Sequence, residues 1–181
     1  MLSGSAEKIP FEDSSIDLIV SNLGVNNFDG PELVFKECNR VLKPGGSLAL
    51  TSNLNRHWKE FYDAFEWTLR QGGHESIVKR LREHQEHRGT VATISDLFTA
   101  NGFSAICQAE DSFSMNFLDG SAFLNHHFIK LGWLESWKNL LPPDELPSIF
   151  SALEYNLNEL ALRSHGLSLS VPMVFMEGQK V

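Results

Sequence analysis

The 181 residues are 42% hydrophobic and 21% charged, the balance of a globular domain able to bury a sizeable core. A formal charge of -8, from 23 acidic against 15 basic side chains, argues against a nucleic-acid surface, which needs a basic stripe. No apolar run approaches the ~18 residues of a membrane span, and nothing at the start resembles a signal peptide, so a cytoplasmic chain is expected. Cys38 and Cys107 form no Cys-x-x-Cys pair and read as buried thiols, one on a helix face and one in a strand.

In chain order, Leu18 to Val20 is a short apolar run between polar residues and predicts a parallel strand buried on both faces. Pro31 suits the first helical position, and Val34, Cys38, Val41 and Leu42 recur at helical spacing on one face. Lys43-Pro44-Gly45-Gly46 stops that helix and turns the chain. Leu48 to Leu50 opens a second buried strand, which completes a βαβ unit.

From Asn55 the pattern turns helical: Trp58, Phe61, Tyr62, Phe65 and Leu69 form an aromatic stripe. It reads either as packing against the sheet or as the wall of a substrate pocket, and packing is the commoner use. Gln71-Gly72-Gly73 breaks the helix, and a more polar one is expected over Glu75 to Glu86. There Lys79-Arg80-Leu81-Arg82 is followed at once by Glu83, which marks a solvated face. His84 and His87 lie three apart on it, but no third ligand at a recognisable spacing supports a metal site. Thr93-Ile94-Ser95-Asp96 resembles a capping box, Asn101-Gly102 a helix stop, and Ser104 to Ala109 a strand. Alternation of Phe113, Met115 and Phe117 with polar residues extends it as a half-buried segment. Aromatics crowd Gly120 to Leu141, where His126-His127 are adjacent. Pro142-Pro143 then precedes a helix of roughly five turns to about Arg163. Leu167 to Phe175 alternates as a last strand, in which Pro172 is awkward; firm pairing is expected from Met173.

Three ordered segments carry a family resemblance: Gly4-Ser5-Ala6-Glu7-Lys8-Ile9-Pro10-Phe11, Ile16-Asp17-Leu18-Ile19, and Arg40-Val41-Leu42-Lys43-Pro44-Gly45-Gly46. They resemble class I S-adenosylmethionine-dependent methyltransferases, in the small-molecule branch of the ubiquinone/menaquinone C-methyltransferases. The implied fold is α/β: the C-terminal portion of a Rossmann-like sheet, parallel strands plus an antiparallel last strand, with helices packed on it. Residues 1–181 then form a single partial methyltransferase domain, with mainly helical segments over 54–90 and 119–165 on the substrate side.

By the same resemblance the cofactor is S-adenosylmethionine. Gly4, Ser5 and Ala6 fall where relatives hold the adenine, with Ser5 in place of an aspartate. Ser21, Asn22 and Leu23 fall where relatives contact the methionine portion. Asn26-Asn27-Phe28 stands where histidine is frequent; asparagine is no general base, so catalysis would rest on proximity and alignment. In the family a glycine-rich cofactor loop lies upstream of the position of Met1, so the chain by itself is expected to bind the cofactor poorly. Two functions follow: methyl transfer to a small molecule by a truncated member, or a non-catalytic remnant serving assembly. In either case strand 17–21 is an open edge and a candidate homodimer contact.

Overall fold

The computed structural model describes residues 4–86 and 88–181. Four strands set the frame: β1 Ile16–Asn22, β2 Leu42–Asn53, β3 Phe103–Phe117 and β4 Leu167–Lys180, in the order β1-β2-β4-β3. β1 and β2 are parallel and β4 runs antiparallel to β2. The helices are α1 Pro31–Val41, α2 Lys59–Gln71, α3 Glu75–Glu86 and α4 Val91–Ala100. Three short ones follow, α5 Gly120–Asn125, α6 His127–Gly132 and α7 Leu134–Lys138, and then the 19-residue α8 Leu146–Ser164. The architecture is mixed α/β, and among the described residues no helix is long and apolar enough to cross a membrane.

The chain falls into two compact units. One comprises Met1–Asn55, Arg88–Ser112 and Pro172–Val181; the other Arg56–His87 and Phe113–Val171. Strands β3 and β4 each pass from one into the other.

In the first unit, α1 and α4 supply Val34, Phe35, Cys38, Ile94 and Phe98 to a core completed by Leu48, Leu50, Val174 and Met176. The Phe35 and Phe98 rings meet edge to face, with centroids 5.1 Å apart. Gly178 is required at its place, because a Cβ there would stand 2.3 Å from the Phe98 ring. Lys180 Nζ donates to the carbonyls of Asn39 and Leu42 at 2.6 and 2.8 Å, which neutralises the carboxyl end of α1. Arg40 gathers the segment before β1: it donates to the carbonyls of Ile9 and Phe11 and to the carboxylates of Asp13 and Glu37. That guanidinium holds the Glu37 carboxyl below its usual range.

Several expectations are corrected here. Lys43 to Gly46 does not precede the second strand but lies inside it. Ile16 pairs with Leu42 and Leu18 with Ser47, so four residues bulge opposite Asp17 alone, with Gly45 at φ +76°. β1 is an outer strand rather than one buried on both faces: Leu18 is 56% and Val20 69% exposed, while Ile16 and Ile19 pack on the core. The cap of α4 is Thr90, not Thr93. Its Oγ1 accepts from the Thr93 N–H while Thr93 Oγ1 accepts from the Thr90 N–H, so a threonine fills the returning role that a glutamate usually plays. Cys107 is exposed, because β3 is the other outer strand and every residue from Cys107 to Ser114 on it faces solvent, Phe113 included. Pro172 stands within a continuous β4, yet pairing with β2 reaches only to Met173, so its missing N–H breaks no rung of that ladder.

In the second unit the aromatic stripe does pack, against helices rather than the sheet. Trp58, Phe61, Tyr62, Phe65 and Leu69 are buried with Phe123, Trp137, Leu153 and Leu157. The Phe61 ring lies 4.3 Å from that of Trp137, whose Nε1 donates to Tyr62 Oη. Trp58 takes a left-handed backbone at φ +55° and donates its N–H to the Ser170 carbonyl, so α2 starts at a bend clamped to β4. Glu60 completes the clamp by accepting from both the N–H and the hydroxyl of Ser170. Burial raises the Glu60 pKa, and the two bonds from Ser170 outweigh it, leaving the carboxyl below its usual range. His126 caps α6 by accepting from the Phe128 N–H and stands edge-on to Phe117, which accounts for it structurally. His84 lies on α3 with its ring 6.5 Å from Tyr62; His87 is outside the described residues.

Candidate functional site

Where parallel strands end, their last amides point out of the sheet and the following loops must supply every partner, which is why open α/β sheets bind ligands there. β1 and β2 end side by side at Asn22 and Asn53. Leu23, the next residue, takes a left-handed backbone at φ +57°, a strained choice for a leucine. It is held there by its N–H, which donates to the carbonyl and the hydroxyl of Thr51. Thr51 donates in turn to Asn22 Oδ1 at 2.5 Å. Gly24 follows, where a Cβ would lie 2.5 Å from Ser21 Oγ and 3.2 Å from the Phe28 ring, so both side chains would have to move for a larger residue. A single 3-10 turn at Val25–Asn27 then closes the loop, and Asn26 Nδ2 donates to the Asn53 carbonyl at 2.8 Å.

Ser21, Asn22 and Leu23 therefore sit together on one tight turn at the carboxyl end of β1. Gly4, Ser5 and Ala6 are exposed on the segment that Arg40 anchors further along. Ser5 makes a local turn there: its Oγ accepts from the Glu7 N–H at 3.2 Å and its carbonyl from the Lys8 N–H. Glu7, which follows Ala6, has its Oε1 3.3 Å from the Cβ position of Gly30, in the loop that leads from the β1 turn to α1.

The residues that pattern reading missed are Thr51 and Asn53. They close β2 in Leu50-Thr51-Ser52-Asn53, and a run of small polar residues ending a buried strand was the available signal. Asn53 Oδ1 is buried with no hydrogen-bond partner among the described residues. The turn carries amide and hydroxyl groups and, among the described residues, no histidine or carboxylate of its own. Among the described residues no three His, Cys, Asp or Glu side chains are grouped to hold a metal. Three cavities, of about 350, 480 and 310 Å³, are lined by residues of the second unit, and none by the six candidate residues.

The geometry defines a class first: an open α/β sheet with a strained turn at the carboxyl end of a parallel pair. Sequence comparison then gives the kind. Residues 1–50 match a family model described as "Methyltransferase domain". The ubiquinone/menaquinone biosynthesis C-methyltransferase UbiE of Rubrivivax gelatinosus is 32% identical over 124 residues, 62% of this chain and 48% of that protein. The mitochondrial 2-methoxy-6-polyprenyl-1,4-benzoquinol methylase of Caenorhabditis elegans is 42% identical over 67 residues, 36% of this chain and 24% of that one. The chain thus spans between about a quarter and a half of the curated relatives it matches. In fold it is similar to the YcgJ protein of Bacillus subtilis (TM-score 0.54, 18% identity, 98% of this chain and 69% of that one). It is also similar to a SAM-dependent methyltransferase of Methanosarcina mazei (TM-score 0.51, 16% identity, 98% and 65%). By sequence and fold the chain resembles the class I S-adenosylmethionine-dependent methyltransferases, and among them the quinone methyltransferases.

Proposed function

We propose that this chain takes part in S-adenosylmethionine-dependent methyl transfer to a small molecule. The observation that carries the reading is the turn at Ser21, Asn22 and Leu23, strained and glycine-tight at the carboxyl end of β1, within the stretch of sequence that matches the methyltransferase domain. In this reading Gly4, Ser5 and Ala6 meet the adenine, and Ser21 to Leu23 meet the methionine portion. Because the turn carries amides rather than a base, rate comes from alignment of an already nucleophilic acceptor with the methyl group. Ultraviolet cross-linking of labelled S-adenosylmethionine, followed by peptide mapping, tests the assignment. Label that S-adenosylhomocysteine competes away is expected in the peptides around residues 4–11 and 21–28; label elsewhere, or none, overturns it.

A second reading, an assembly module without catalysis, is favoured by one observation. The exposed edge of β1 matches itself: an antiparallel pairing of two copies about Ile19 sets each Leu18 against a Val20 and each Asp17 against a Ser21. No like charges meet, and each exposed apolar side chain gains an apolar cross-strand neighbour. Homodimer formation through Asp17 to Ser21 is accordingly part of the proposal for either function.

A further inference from the structure

An arginine drawn even partly out of water has to find an anion or carry the penalty of a desolvated charge. Arg40 finds Glu37 and Asp13. Arg88 does not: it is 8% exposed, its Nη1 is buried without a hydrogen-bond partner, and no ion pair among the described residues includes it. It is also the only lysine or arginine among the described residues that is buried.

Its position is not that of a structural brace. The backbone beside it is already fixed, because the Asn55 N–H donates to the Gly89 carbonyl at 3.0 Å, two residues past the end of β2. Thr90 then caps α4, a ten-residue helix whose positive end therefore lies next in sequence to the guanidinium. Asn53, with its own partnerless Oδ1, closes the same strand end. Gly89, between the buried Arg88 and the capping Thr90, is thus tied two residues past the end of β2, the strand that Asn53 closes with its unpaired amide oxygen and that pairs with β1 up to Asn22.

We propose that Arg88 binds an oxyanion of the methyl acceptor, a carboxylate or an ionised ring hydroxyl, and so sets the acceptor class as anionic. The planar guanidinium fork matches a carboxylate in two parallel hydrogen bonds, and burial strengthens them. This rests on the carboxyl end of β1 and β2 being the reaction face. A molecule with formal charge -8 repels free anions at long range, so selectivity comes from the short-range fork rather than from steering.

Calorimetric titration with benzoate, its neutral counterpart benzamide, and S-adenosylhomocysteine tests the proposal on the wild type, Arg88→Met and Arg88→Lys. Benzoate is expected to bind saturably and benzamide not. Arg88→Met should weaken benzoate at least about tenfold, with Arg88→Lys between, while S-adenosylhomocysteine changes less than about twofold. Methionine fills the space without the charge, so the variant should melt no lower than the wild type; that melt shows it is folded. Equal binding of benzoate by wild type and Arg88→Met, or of benzoate and benzamide, overturns the proposal. If Arg88→Met weakens S-adenosylhomocysteine and spares benzoate, the anion is the cofactor's carboxylate and the acceptor assignment falls. Arg88-dependent benzoate binding without cofactor cross-linking at residues 4–11 or 21–28 would instead fail the methyltransferase reading and keep the anion site.

Discussion

Glu60 shows how one side chain fastens an element. It accepts two hydrogen bonds from Ser170 and so holds the start of α2 on β4. Glu60→Gln keeps the shape but loses the charge of the acceptor, and should cost about 2 kcal/mol in a denaturant titration at neutral pH. Because its folded pKa is lowered, that contribution is complete above the ordinary value of 4.5 and fades as the pH falls through the lower folded value. The difference between wild type and Glu60→Gln should therefore shrink below about pH 4.5; a difference unchanged down to pH 3 would contradict the assignment. Cys38 and Cys107 make a second pair of expectations. Burial first, and the Glu37 charge second, push the Cys38 thiol up to about 11, whereas Cys107 is exposed. Iodoacetamide at pH 8 should modify Cys107 alone in the native protein, read by mass spectrometry. At Ser5 the reading concerns function: Ser5→Asp preserves a local acceptor for Glu7 N–H and adds a charged acceptor for the adenine amine. With the family's upstream glycine-rich segment joined to the chain, a net gain on the order of 1 kcal/mol would tighten S-adenosylhomocysteine about fivefold, and no gain would displace Ser5 from the adenine contact.

Among the elements, those set by local pattern were legible and those set by partners were not. Pro31 and the apolar spacing of Val34, Cys38 and Val41 located α1, and Gln71-Gly72-Gly73 ended α2 where it ends. Lys43 to Gly46 carries every sign of a turn, yet the register of Ile16 against Leu42 draws it into β2, an outcome fixed by the neighbouring strand. Leu18 to Val20 has the composition of a strand buried on both faces; the resemblance, not the composition, placed it at an open edge, and the strand order agrees. Thr93 and Thr90 are equivalent as letters; the hydrogen bonds of the fold choose Thr90. The site divides the same way: Ser21 to Leu23 could be read from a motif, whereas Arg88 and Asn53 draw their meaning from burial without partners. At this scale Gly178 is the decisive contact between α4 and β4. Gly178→Ala would drive a methyl into Phe98 and should destabilise by roughly 1–3 kcal/mol, measured by chemical denaturation.

For the molecule as a whole, the division into two units was invisible to pattern reading because neither unit is one stretch of sequence. The edge of β1 gives the prediction proper to this scale. Sedimentation should show a dimer, and Val20→Lys, which sets a charge against Leu18 of the second copy, should return it to a monomer with unchanged circular dichroism. A wild type that stays monomeric at high concentration would remove the self-pairing from the proposal.

The second unit has a further consequence, one that belongs to its synthesis. Tyr62 waits for Trp137, 75 residues later, and Thr68 for Asn156, 88 residues later. At about 5–20 residues per second, the ribosome leaves the stripe of α2 without α7 and α8 for roughly 4–18 s. Throughout that interval Trp58, Phe61 and Phe65 form an apolar face on a nascent chain, the kind of surface that holdase chaperones capture. The yield of folded protein should accordingly follow chaperone supply and elongation speed more closely than it follows final stability.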